Sequence, residues 1–112
     1  DGEVNKPGMV SLIGPTTVLE AVAEAGGFKD SARKEEVIII RKTADKKPLA
    51  IVANLESAIS GADRSQDIEV LPYDIIFVPR SKIGDVNRFV DLYIRRNIPI
   101  PFGITYGFGG TP

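Results

Sequence analysis

Val37-Ile38-Ile39-Ile40 offers water no polar face. Side chains alternate across an extended backbone, so four β-branched residues in a row read as a strand buried on both faces. Ile75-Ile76-Phe77-Val78 is a second fully apolar run, and Pro79 closes it. Any fold for this chain has to cover these two strands.

The remaining elements follow from local signals. Gly2–Val4 reads as the end of a strand and Pro7-Gly8 as a turn. Met9 to Ile13 resumes as a strand, which Gly14-Pro15 breaks. Thr17 and Glu20 form a capping-box pattern that opens a helix. Leu19, Val22 and Ala23 share a face at helical spacing, and Gly26-Gly27 stops the helix. Arg41 to Lys47 suits a hairpin tip, with Leu49 to Val52 as the returning strand. Asn54 to Ile59 suits a short helical turn, Gly61 to Asp67 a polar loop, and Leu71-Pro72-Tyr73-Asp74 a turn. About five short strands with one good helix make an α+β chain of the β-grasp type.

Composition removes several kinds of chemistry. The 112 residues contain neither Cys nor His, so thiolate or imidazole catalysis and Cys- or His-based metal sites are excluded. No Walker loop, dinucleotide fingerprint or convincing pair of carboxylates is visible. The expectation is a non-enzyme with no catalytic residues, cofactor or metal. A net charge of −1 gives no broad attraction for nucleic acid. The first 79 residues carry nine basic and thirteen acidic groups; the last 33 carry five and two. The two parts therefore read as a domain over 1–80 and a different segment over 81–112. The chain opens without Met, inside an apparent strand, and reads as part of a longer protein.

That second segment holds an amphipathic stretch. Ile83, Val86, Phe89, Val90, Tyr93 and Ile94 share one helical face; Asp85, Asn87, Arg88, Asp91 and Arg95 fill the other. Asp91 and Arg95 stand at i,i+4. A helix over 83–98 spans about 24 Å, short of a hydrocarbon core of about 30 Å. Its apolar face has two possible destinations. It packs back on the domain, or it meets a membrane or its copies in neighbouring subunits. Beyond it, Phe102 to Gly110 alternates aromatic or β-branched residues with glycine and suits a strand or a segment ordered by a partner.

The ordered phrases Gly2-Glu3-Val4, Pro7-Gly8, Thr17 with Leu19 and Ala21, Ala25-Gly26-Gly27-Phe28, Asp30-Ser31-Ala32 and Leu71-Pro72 through Pro79 resemble an SLBB domain over residues 2–80. SLBB denotes the soluble-ligand-binding β-grasp family. The likeness is greatest to the modules of bacterial outer-membrane polysaccharide export proteins. It implies a ring of subunits in the periplasm and outer membrane that passes capsule or exopolysaccharide without altering it. It also implies an inner-membrane polysaccharide co-polymerase as partner, and outer-membrane contact through the C-terminal helix. The alternative is an SLBB module that binds a sugar or other small soluble ligand in another assembly. Arg41, Lys42, Lys46 and Lys47 are the candidate polysaccharide contacts, although a solvated hairpin tip accounts for them as well. Gly26-Gly27 follows its helix, which marks a stop and not a phosphate loop. Asp74 reads as a turn residue bonding nearby amides.

Overall fold

The computed structural model describes residues 8–12, 14–45, 47–96 and 104–108. They form five strands and three α-helices: β1 (Gly8–Leu12), α1 (Val18–Glu24), β2 (Val37–Lys42), β3 (Pro48–Ala53), α2 (Leu55–Ser60), β4 (Ile75–Phe77), α3 (Val86–Arg96) and β5 (Ile104–Phe108). Two 3-10 turns, Lys34–Glu36 and Arg64–Gln66, complete the order. The strands make one mixed sheet in the order β1-β5-β4-β2-β3. Only the β1–β5 pair is parallel. The fold is α+β and β-grasp-like. The expected strand at Gly2–Val4 and Pro7 lie outside the described residues, and Gly8 begins β1.

The sheet is covered on both sides, and β2 shows why. Val37 and Ile39 join one apolar cluster with Val18, Ala21 and Val22 of α1 and Leu55 of α2. Ile38 and Ile40 join another with Phe77 and Val90. All four β2 residues are buried, as their unbroken apolar character requires. β4 repeats the pattern, with Ile76 in the first cluster and Phe77 in the second.

Helix α1 begins where its capping box stands. The Thr17 hydroxyl accepts from the Glu20 amide, and the Glu20 carboxylate accepts from the Thr17 amide. Asp67 takes a further first-turn amide, that of Leu19, at 2.8 Å. The buried face is Val18, Ala21, Val22 and Ala25; Leu19 is half-buried and Ala23 exposed. This differs from the expected Leu19–Val22–Ala23 face. In a helix so rich in Val and Ala, several stripes are apolar, and spacing alone does not choose among them. At the far end Gly27 donates to the Val22 carbonyl and Gly26 to that of Ala23. Both glycines hold φ near +90°, so the pair is a Schellman stop.

The C-terminal segment is not a separate body. β5 lies between β1 and β4, and α3 covers the second face of the sheet. The expected boundary at residue 80 falls between elements of one sheet. α3 also begins later than expected, at Val86. The Asp85 carboxylate accepts from the Arg88 amide at 3.0 Å, so Asp85 caps the helix instead of lying on its polar face. Eleven residues at about 1.5 Å each give about 17 Å. Among the described residues no helix is long and apolar enough to cross a membrane.

Val90 is 2% exposed at the centre of this second layer. Val90→Ala is expected to cost about 2 kcal/mol in urea unfolding, against about 0.5 kcal/mol or less for the exposed Arg88→Ala on the same helix. Equal effects would contradict the docked position of α3.

Candidate functional site

The turn before β4 is fixed by several hydrogen bonds to one buried carboxylate. Pro72 presets φ, and the Asp74 amide donates to the Leu71 carbonyl at 3.1 Å. Tyr73 closes the turn at φ 68°. Asp74 has no exposed surface. Its Oδ2 accepts from the Leu71 amide at 2.8 Å and from Arg41 Nη2 at 2.8 Å. Arg41 Nε donates to both carboxylate oxygens at 3.1 and 3.2 Å, and Nη2 also reaches the Glu69 carbonyl at 3.0 Å. A forked guanidinium on a buried carboxylate is among the strongest pairings a fold can make. It locks the turn onto β2.

This geometry changes the reading of the basic cluster. Arg41 belongs to β2 and is bound to Asp74; it is not a free cation of the hairpin tip. The register explains the pairing, because Ile40 faces Ile75 and the next step brings 41 beside 74. Lys42 and Lys47 are exposed, and Lys46 lies outside the described residues. The tip is tied by Thr43, whose hydroxyl donates to Asp45 and lies 2.9 Å from the Lys47 carbonyl. The Thr43 hydroxyl, then the Lys47 amide, hold the Asp45 carboxyl below its usual range. Asp45 thus stays ionised between the lysines and reduces the positive charge of the tip.

Four of the six residues of the expected membrane or oligomer face pack on the sheet. Ile83, Val86, Phe89 and Val90 pack against Ile38, Ile40 and Phe77. The rings of Phe77 and Phe89 lie 4.7 Å apart and tilted by 30°. Ile83 precedes the helix, and its amide donates to Glu36 at 3.0 Å. The side chains of Tyr93, Ile94 and Arg95 lie outside the described residues. A bilayer or a neighbouring subunit would have to displace the domain's own sheet to reach this face. Among the described residues no group of acids could hold a metal ion.

The family model of the SLBB domain matches residues 1–52. Over those residues the chain is similar to an SLBB domain. The match takes in β1, α1, β2 and nearly all of β3. The resemblance seen in the sequence runs further, to residue 80, and the sheet shows that β4 belongs to the same fold.

Two surfaces of the domain were not singled out by its sequence. One is the turn tip, where Tyr73 is 62% and Leu71 43% exposed. Its available signal was a turn formed after Pro72 without glycine. The other is β3, an outer strand whose Leu49 and Val52 are each nearly half exposed. The contiguous Leu49-Ala50-Ile51-Val52 gave no hint of which residues would remain uncovered.

Asp74→Ala is expected to cost about 3–5 kcal/mol, since it strands the Arg41 guanidinium. The double variant Arg41→Met, Asp74→Leu should recover much of that loss, as double-mutant unfolding curves would show. Acid acts on the hairpin tip separately. The folded Asp45 pKa lies below the ordinary carboxylate value, so its contribution is present above the ordinary value and is lost as pH falls through the lower, folded one. Amide exchange at Lys47 should accelerate in that window.

Proposed function

We propose that this SLBB domain is a ring-forming, non-catalytic unit of a polysaccharide export conduit. Subunits stand side by side in the periplasm and toward the outer membrane. The polymer arrives from an inner-membrane co-polymerase and passes without any covalent change. The SLBB match and the wider sequence resemblance support this reading. The structural observation that carries it is the pair of unlike outer strands, β1 and β3, at opposite ends of one sheet. Two different edges allow head-to-tail contacts, the geometry that closes into rings. β3 also lacks the usual protection of an edge. Its Pro48 is the first residue, no Lys interrupts positions 49–53, and Leu49 and Val52 are open to a partner. Outer-membrane contact through α3 would follow only from release of its apolar face by the sheet.

The Cys-free chain makes this contact easy to trap. Ser11→Cys in β1 with Val52→Cys in β3, joined by a short bismaleimide, should give a ladder that ends at a closed species of fixed size. Val52→Lys should keep the fold by circular dichroism and abolish self-association in sedimentation. Monomer alone in the cross-linked sample would overturn the ring.

A further inference from the structure

Tyr73 is the surface feature that neither the core nor the edge strands explain. Among the described residues it is the sole non-glycine with positive φ. The third position of such a turn favours Gly, because a Cβ there meets the backbone. The buried Arg41–Asp74 pair holds the strained conformation in place. At 62%, Tyr73 is also more exposed than Leu49, Val52, Ile59 or Leu71. Strain that is held by the surrounding structure and ends in a displayed side chain points to a contact made outside the chain.

The surroundings narrow the partner. Continuing the β2–β4 register past Ile40 and Ile75 brings Lys42 to the level of Tyr73. Lys47 stands at the same end of the sheet, since Lys42 faces Pro48 across the hairpin. Both lysines are exposed, and neither makes an ion pair among the described residues. A phenol ring offers a flat, electron-rich face to the weakly positive C–H face of a pyranose. Its hydroxyl can bond a sugar hydroxyl, and an ammonium can meet a uronate or another acidic substituent. A protein partner would find only a small apolar spot with a cationic rim.

We propose that Tyr73 is a stacking platform for a pyranose ring of an acidic polysaccharide, with Lys42 supplying the countercharge. The choice of a polymer as ligand rests on the conduit reading; the platform itself rests on the turn.

The test is an NMR titration of the labelled chain with hexagalacturonate and, as a neutral probe, cellohexaose. Saturable shifts centred on Leu71 to Asp74 and Lys42 are expected, with tighter binding of the acidic probe. Tyr73→Gly relieves the backbone and keeps the fold, and it should weaken both probes about fivefold. Tyr73→Phe should retain most of the binding. Lys42→Gln should weaken hexagalacturonate alone and reduce its salt dependence. Absence of shifts with both probes, or unchanged binding by Tyr73→Gly, overturns the proposal. So does a Tyr73→Gly variant that loses self-association and keeps its sugar affinity, because Tyr73 is then a protein contact. The two readings fail separately. A cross-linked ladder without sugar shifts removes the platform, and shifts without a ladder remove the ring.

Discussion

Everything in this fold depends on covering both faces of β2. Four consecutive β-branched residues leave no side of the strand for water. One face is met by α1 and α2, the elements a small β-grasp domain is expected to supply. The other needs a second layer, and α3 provides it through Val90, Phe89 and Val86. The segment after residue 80 is therefore structural. β5 carries the same logic into the sheet, where it joins β1 to β4. The chain also ties the crossing down, because the Arg33 amide donates to the Pro79 carbonyl at 2.7 Å and Glu36 accepts from Ile83.

The buried ion pair has a narrower task. Arg41 and Asp74 are costly to desolvate, and an apolar pair of similar volume would serve stability about as well. What the pair adds is position. It fixes the 71–74 turn to the end of β2, and so holds Tyr73 outward in a conformation the backbone resists. The exposed Tyr73 ring and the outer strands β1 and β3 are different surfaces of the molecule.

Much of this was legible from local signals. The capping box at Thr17, the glycine stop at Gly26-Gly27, the β2–β3 hairpin and the two-sided burial of β2 each depend on neighbours in sequence, and each stands close to where it was read. The long-range features were not legible. β5 pairs in parallel with β1, Gly8 facing Ile104, and no local pattern announces such a partner. Arg41 looked like one of four tip cations because Asp74 lies 33 residues away. Pro72 marked a turn, but nothing in Tyr73 announced a left-handed backbone. The apolar stripe of α3 was correct at Val86, Phe89 and Val90, yet an amphipathic pattern does not say which apolar surface it meets.

The central claim is that α3 lies on its own sheet and completes the core of the domain. The most direct measurement is the nuclear Overhauser contact between the ring protons of Phe89 and Phe77, recorded with the chain free and with lipid vesicles. The account predicts strong cross-peaks in both, as the 4.7 Å ring separation requires. Their absence, together with fast amide exchange at Val90, would contradict it and return the helix to the membrane or to a neighbouring subunit.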